Sequence, residues 1–270
     1  MALKLVVVKI TVILSIFQHG QACVPPRPAS NPTTVPSPTH QTASSPTTEE
    51  TPYEWPCSNF NNQTSKIGSG SDAAAGSFPF YVAIQDENGD FKAGVLVSSW
   101  FVLTQIQVRA VKVAYGIQTG QSIEEIFQNS PNQVKVAERI EITSNPELIL
   151  LHLTTPIPPG PLTKPIQISD CSGPSNAAVG DTLAYYGLGF DNSNHYADTM
   201  QVNCGKVVDP TQICQNYETN FGMEESICLV SNTCYYDWGG PIVTIDEESN
   251  QLFLAGIIYL VSSCSSINPQ

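Results

Sequence analysis

The segment Cys234-Tyr235-Tyr236-Asp237-Trp238-Gly239-Gly240-Pro241 leads directly into the apolar run Ile242–Ile245. Paired glycines followed by a proline are strong turn signals. The β-branched residues after the proline are typical of a strand. We therefore predict a turn around the two glycines that opens a β-strand.

Short apolar runs of the same kind occur along most of the chain. Turn-forming residues separate them at intervals of about 8–12 residues, which is typical of an all-β sandwich or barrel. Only Ser122–Gln128 has a helical pattern. The predicted strands are Tyr81–Ile84, Ala93–Val97, Phe101–Leu103, Val111–Tyr115, Val134–Ile142, Leu148–Leu153, Thr182–Tyr186, Met200–Val208, Ile242–Ile245 and Leu252–Leu260.

Four landmarks resemble those of trypsin/chymotrypsin-like serine proteases and follow the family order: Ile67–Gly70 with Gly76–Phe80, Val102–Thr104, Gly180–Asp181 with Gly187–Gly189, and residues 234–241. The first is similar to the family's mature N-terminus and the last to its nucleophile loop. The resemblance implies an all-β fold of two six-stranded Greek-key β-barrels. The sequence ends six residues after Cys264, before the family's C-terminal strand and helix. The second barrel is therefore expected to be incomplete, because these elements have been lost or because the sequence is incomplete.

The resemblance fails at the three catalytic positions. Gln107 stands where the family has its histidine, and glutamine has no titratable group for proton transfer. Glu147 replaces the orienting aspartate with a longer acid. Trp238 occupies the serine position and offers no hydroxyl for nucleophilic attack.

Supporting positions differ as well. Tyr236 replaces a glycine whose N–H helps to form the family's oxyanion hole. Asn232 takes the position at the base of the specificity pocket, and Lys92 and Val108 occupy the positions of the disulfide that brackets the catalytic histidine. We therefore predict an inactive pseudoprotease with no catalytic residues, no metal and no cofactor.

The family's activation switch is partly retained. Lys66-Ile67 is a trypsin-type cleavage bond. By resemblance, cleavage there would free an ammonium group on Ile67 that pairs with Asp237. The alternative is that Asp237 is a structural acid and Lys66 an ordinary exposed lysine, and the sequence leaves both open.

The chain has 8 cysteines, which predict disulfides in an oxidising compartment. The resemblance implies the pairs Cys214–Cys228, Cys234–Cys264 and Cys57–Cys171. Cys23 and Cys204 remain, either joined to each other or to cysteines of another chain.

The N-terminal region has a different composition from the rest of the chain. Residues 1–22 predict a secretory signal peptide, with Lys4 and Lys9 flanking an apolar stretch too short to span a membrane. Residues 23–56 contain nine prolines and eleven serines or threonines, which predict a disordered stalk resembling an O-glycosylated linker. Residues 57–66 resemble a propeptide tether with a glycosylation sequon at Asn62, and residues 67–270 form the protease-like domain.

A net charge of −13 and the absence of basic runs disfavour nucleic acid as a partner. We predict a secreted, extracellular protein without a membrane anchor. Its partners would be extracellular proteins, either proteases or protease substrates, and its role that of a cofactor or decoy in a proteolytic cascade such as immunity or reproduction. Two alternatives are residual serine endopeptidase activity and a structural, mucin-like stalk protein. The sequence does not define the oligomeric state.

Overall fold

The computed structural model describes residues 5–9, 55–58, 71–105, 110–118, 120–141, 148–168, 177–188, 199–209, 226–230, 238–246 and 248–261. These residues are mostly in strands, as the all-β prediction requires. The elements in chain order are β1 (Leu5–Lys9), β2 (Ser71–Asp72), β3 (Tyr81–Asp86), β4 (Phe91–Leu96), β5 (Phe101–Gln105), β6 (Ala110–Ala114), α1 (Ile123–Asn129), β7 (Val134–Glu141), β8 (Leu148–Leu153), β9 (Gln167–Ile168), β10 (Thr182–Gly187), β11 (Gln201–Val208), β12 (Ser226–Val230), β13 (Pro241–Asp246) and β14 (Gln251–Val261).

The first sheet is a closed barrel with the strand order β3-β4-β5-β8-β7-β6. Every neighbouring pair is antiparallel. In the hairpin between β3 and β4, Asp86 Oδ1 accepts hydrogen bonds from the N–H groups of Asn88 and Asp90, both at 2.9 Å. Such side chain to backbone bonds favour a turn over a continued strand.

Strand β3 is buried on both faces. Val82 and Ile84 belong to the cluster inside the first barrel. Tyr81 and Ala83 belong to a second cluster, which also contains residues of β10, β13 and β14. Because successive side chains point to opposite faces, a strand between two cores is a continuous apolar run rather than an alternating one. The second cluster thus joins the two sheets.

The second sheet has the strand order β12-β11-β10-β13-β14, with antiparallel neighbours. Short strands lie at its margins, where β2 pairs with β11 and β9 pairs in parallel with β14. Its interior is a separate apolar cluster made of Leu183, Tyr185, Val207, Ile227, Leu229, Ile242, Ala255 and Ile258.

Strand β1 lies between β12 and β14 and is antiparallel to both. The second sheet thereby closes into a ring of six strands. Among the described residues, the predicted protease-like domain supplies five strands of this ring, and the sixth comes from residues 5–9. Whether the second barrel lacks an element stays a prediction, because residues 262–270 lie outside the described part of the chain. The sequence did not predict that the N-terminal segment would occupy the position.

The predicted helix is present as α1. The hydroxyl of Ser122 caps it by accepting a hydrogen bond from the N–H of Glu125, while Ile123 and Ile126 are buried. Phe127 packs against Phe91 of β4, with ring centroids 5.4 Å apart. In the part of the chain that the structure describes, no helix is long and apolar enough to cross a membrane.

One disulfide joins Cys57 to Cys204, with a Cα–Cα distance of 5.8 Å. The predicted pairs Cys57–Cys171 and Cys23–Cys204 are therefore wrong. Cys57 is buried in the core that joins the sheets, and Cys204 on β11 packs against the same core, so the disulfide joins Cys57 to β11. Cys228 is also disulfide-bonded, as the pair Cys214–Cys228 requires. That pair and Cys234–Cys264 stay predictions because Cys23, Cys171, Cys214, Cys234 and Cys264 lie outside the described residues.

Candidate active site

The turn that contains Trp238 is held between the two sheets. The N–H of Ala93, on β4 of the first barrel, donates to the carbonyl oxygen of Trp238 at 3.1 Å. The N–H of Gly239 donates to the carbonyl oxygen of Ile258 on β14 at 2.8 Å, and the N–H of Ile258 donates to Gly240 at 2.9 Å. Three backbone hydrogen bonds thus fix the turn to one strand of each sheet.

Gly239 is required here for two reasons. Its φ of +83° lies in the left-handed region, which L-residues with a side chain rarely adopt. A Cβ atom at this position would also overlap the carbonyl oxygen of Ala93 and the hydroxyl of Thr104. These two atoms are themselves hydrogen-bonded at 2.8 Å, with Thr104 Oγ1 donating. The backbone of β4 and β5 therefore approaches the turn so closely that only glycine fits.

The indole of Trp238 lies against both sheets. Half-buried, it packs on the interior cluster of the second sheet. The ammonium group of Lys92, on β4, lies 5.7 Å from the centre of the indole ring. A cation over an indole face is attracted by about 0.5–1 kcal/mol at exposed sites. A large aromatic ring with a cation over it thus occupies the position just before the glycine pair.

Two strand ends lie side by side in the first barrel. Gln105, the last residue of β5, pairs with Leu148, the first residue of β8. Gln107 follows β5 by two residues and Glu147 directly precedes β8. The chain therefore leaves β5 toward position 107 and enters β8 from position 147 at adjacent ends of two neighbouring strands. Gln107 and Glu147 themselves lie outside the described residues.

The trypsin family model matches residues 67–270, which is about three quarters of the sequence. The chain belongs to the trypsin family. The match covers the range predicted for the protease-like domain and both sheets other than β1. Trp238 is thus the residue that this trypsin-family chain places just before the two glycines of its nucleophile loop.

Gln105 is a feature of this region that the sequence analysis missed. Its side chain is only 1% exposed, and no described residue forms a hydrogen bond with its amide nitrogen or its amide oxygen. An unpaired buried polar group costs about 1–3 kcal/mol. The one sequence signal was a polar residue continuing the apolar run Phe101–Leu103, which is also consistent with an ordinary strand end.

Several predicted site residues cannot be placed, because they lie outside the described residues: Lys66, Ile67, Asn62, Asn232, Tyr236 and Asp237. Cleavage before Ile67, its ion pair with Asp237 and glycosylation of Asn62 therefore stay predictions. His152 is described and is half-buried. It stacks on Phe101 at 5.1 Å between ring centroids, in keeping with a packing role.

The shifted pKa values of the described residues belong to other parts of the fold. Hydrogen bonds from Thr199 and Gln201 lower the pKa of Asp72 on β2 below its usual value. A hydrogen bond from Ser249 does the same for Asp246, the last residue of β13. The described residues hold no group of three or more side chains suited to binding a metal ion.

Proposed function

We propose that this trypsin-family chain is a secreted, non-catalytic serine protease homologue that binds extracellular proteins. Its partners are proteases or protease substrates, and it acts on them as a cofactor or decoy in a proteolytic cascade such as immunity or reproduction. The observation that carries the proposal is the indole of Trp238, held by the backbone at the nucleophile position and contacted by Lys92.

The chemistry of the nucleophile position supports inactivity. Acyl transfer begins with attack by a hydroxyl or thiol, and an indole provides neither. The backbone hydrogen bonds with Ala93 and Ile258 hold Trp238 and the two glycines in place. Loss of a single triad nucleophile or base lowers kcat by about 10⁴–10⁶-fold. Here the histidine position is also a glutamine, Gln107.

The cysteine chemistry supports secretion. Cys57 and Cys204 are 147 residues apart in sequence and are joined by a disulfide. Structural disulfides persist in oxidising compartments and are rare in the cytosol. Residues 1–22 provide the predicted signal for export, and the stalk of residues 23–56 would separate the domain from its N-terminal end.

The packed cores that the chain retains support a binding role. The two cores and the cluster that joins them are intact among the described residues, with Val82, Tyr186 and Ile258 essentially inaccessible to solvent. A trypsin-family domain that lacks the nucleophile can keep a surface that recognises proteins, but it cannot cleave a bound polypeptide. This combination favours a cofactor or decoy.

The test of inactivity uses the secreted protein after cleavage at Lys66, incubated with a fluorophosphonate probe that labels activated serines. Trypsin at the same concentration is the positive control. We expect no labelling above that of the heat-denatured protein. Trp238→Ser should remain unlabelled as well, because Gln107 still occupies the histidine position. Specific labelling of the unmodified protein would establish the endopeptidase alternative.

The test of binding is a cross-linking experiment in the native extracellular fluid, with the partners identified by mass spectrometry. The stalk alone, residues 23–56, is the control bait because it is predicted to be disordered. We expect proteases or protease substrates to be captured by the full protein and not by the stalk. Capture of matrix or mucin components alone, by both baits, would favour the structural alternative.

A further inference from the structure

The chain between β8 and β9 contains a short segment that is rich in proline. We call residues 155–161 the proline segment, and its sequence is Thr155-Pro156-Ile157-Pro158-Pro159-Gly160-Pro161. Every residue in it is either a proline or the residue before a proline. Proline fixes φ at about −65° and biases the residue before it toward an extended or polyproline II backbone. The sequence therefore restricts the whole segment to extended conformations.

The backbone of the proline segment is consistent with this restriction. Residues 156–159 belong to neither a helix nor a strand. No peptide bond of the described residues is cis, and Gly160 is not among the glycines with positive φ. A polyproline II helix has about three residues per turn and no internal hydrogen bonds. The segment thus has the features of such a helix up to Gly160.

Hydrogen bonds hold the proline segment on the first barrel. The N–H of Ile157 donates to the carbonyl oxygen of Ser99, between β4 and β5, at 2.8 Å. Gly160 and Thr163 exchange two backbone hydrogen bonds, at 2.9 and 3.1 Å. The hydroxyl of Thr163, a buried residue, donates to the carbonyl oxygen of Pro158 at 2.7 Å. A partner would therefore meet a backbone that is already ordered.

One edge of the proline segment faces the domain. Ile157 is only 2% exposed and belongs to the cluster inside the first barrel. A Cβ atom on Gly160 would lie 3.2 Å from the hydroxyl oxygen of Thr163. Because a polyproline II helix repeats about every three residues, positions 157 and 160 lie on the same edge. This edge is used for contact with the domain itself.

The other two edges of the segment present prolines to solvent. Pro156 and Pro159 lie on one edge, and Pro158 and Pro161 lie on the other. All four of these prolines are exposed. The two prolines of an edge are about 9 Å apart, because the helix rises about 3.1 Å per residue. Prolines at this spacing form the PxxP pattern that aromatic-lined grooves bind.

The prolines also limit how a partner can bind. Proline has no N–H group to donate to a neighbouring strand, so this segment is a poor template for strand addition. Its exposed rings instead offer apolar surface to the faces of aromatic side chains. A backbone that is fixed before binding also lowers the entropy cost of association.

We propose that the proline segment is a docking site for a protein domain with an aromatic-lined groove, of the kind that binds polyproline II ligands. The proposal goes beyond the proposed function and does not depend on the absence of catalysis. The segment contacts Ser99, just before β5, whereas Thr104 near the other end of β5 lies against Gly239. The docking site is therefore distinct from the nucleophile loop.

The experiment uses the secreted full-length protein. The probes are purified SH3, WW and EVH1 domains, whose aromatic-lined grooves bind polyproline II ligands. Binding is measured by biolayer interferometry. Each domain that binds is measured again after alanine replacement of the aromatic residues in its groove, which tests whether the groove is the contact surface.

Two double variants remove the rings of one edge each. The first combines Pro156→Ala with Pro159→Ala, and the second combines Pro158→Ala with Pro161→Ala. The matched control is Pro131→Ala, which changes an exposed proline between α1 and β7. Urea unfolding establishes that each variant is folded. A synthetic peptide of residues 154–162 is added as a competitor of the unmodified protein, so that the segment is tested even where a double variant does not fold.

We expect at least one domain to bind the unmodified protein and the Pro131→Ala variant equally. The same domain should bind at least one double variant about tenfold more weakly, and excess peptide should displace it. Three results would overturn the proposal: no binding by any domain, undiminished binding of both double variants, or binding that persists without the aromatic residues of the groove. Fluorophosphonate labelling does not involve the proline segment, so failure of this proposal and failure of the inactivity proposal are separate outcomes.

Discussion

Replacement of Gly239 by alanine tests the close approach of the two sheets at the nucleophile loop. The φ of +83° costs an alanine about 1–2 kcal/mol in left-handed strain. Its methyl group would also overlap the carbonyl oxygen of Ala93, a backbone atom, and the hydroxyl of Thr104. Forcing an extra carbon into a packed site costs about 1–3 kcal/mol. We expect Gly239→Ala to lower the free energy of unfolding by about 2–5 kcal/mol.

The matched control is Gly89→Ala in the hairpin between β3 and β4. Gly89 has nearly the same φ, +87°, but a Cβ there would meet no atom within 4 Å. Both variants gain similarly from a less flexible unfolded chain. The difference between them therefore isolates the steric overlap, about 1–3 kcal/mol.

The assay is urea unfolding of the secreted protein with its disulfides intact, followed by tryptophan fluorescence and by circular dichroism. Thermal unfolding gives a second measure, with a shift of about 2–4 °C for each kcal/mol in a domain of this size. Equal losses of stability in Gly239→Ala and Gly89→Ala would refute the close approach of β4 and β5 to the turn. A larger loss at Gly89 would refute it more strongly.

Three further predictions concern the same region and the tether. Lys92→Gln removes the cation from the face of Trp238, so we expect the free energy of unfolding to fall by under about 1 kcal/mol and the tryptophan fluorescence emission spectrum to change. An unchanged emission spectrum would contradict the contact. Gln105→Leu removes a buried amide without hydrogen-bond partners, so the free energy of unfolding should rise by about 1–2 kcal/mol, and a loss in urea unfolding would contradict this. The double variant Cys57→Ser with Cys204→Ser should be less stable by about 2–4 kcal/mol in non-reducing unfolding, because a long loop is no longer closed, and an unchanged midpoint would disprove the linkage.

Local patterns predicted most of the strands. The apolar run Leu148–Leu153 is strand β8 with the predicted bounds, and Met200–Val208 differs from β11 by one residue. Residues 148–153 are almost all large and apolar, and residues 200–204 alternate apolar and polar side chains, so both patterns can be recognised locally. The helical pattern over Ser122–Gln128 likewise predicted α1 to within one residue at each end.

Four of the described strands were not predicted: the two-residue strands β2 and β9, and the longer strands β12 and β1, which were missed for different reasons. Strand β12, Ser226–Val230, is short and lies between polar stretches, so its five residues did not form a clear pattern. Strand β1 was interpreted as part of a signal peptide, because an apolar stretch flanked by lysines at the N-terminus fits export as well as it fits a strand. Its place in the fold depends on pairing with β12 and β14, which are more than 200 residues away in the sequence.

The candidate site was predicted from the types of residue at the expected catalytic positions. The structure added the contacts that surround Trp238 and Gln105. The prediction that the nucleophile position is Trp238 rests on the residue type and the family resemblance alone. The contact with Lys92 and the unpaired amide of Gln105 required the fold, because β4, β5 and the turn are far apart in sequence. The pairing of Cys57 with Cys204 was missed because the family resemblance implies Cys171 as the partner. Only the fold shows that Cys57 lies next to Cys204 on β11.

The sequence by itself determined the β-rich class and the family to be expected, and it predicts which chemical groups the catalytic positions lack. These are properties of single residues or short runs, and they do not depend on distant parts of the chain. Only the tertiary structure decided which cysteine Cys57 binds, why Gly239 admits no side chain and which strand stands between β12 and β14. The physical reason is that backbone edges and buried surfaces select their partners by position in space, and sequence separation does not encode that position.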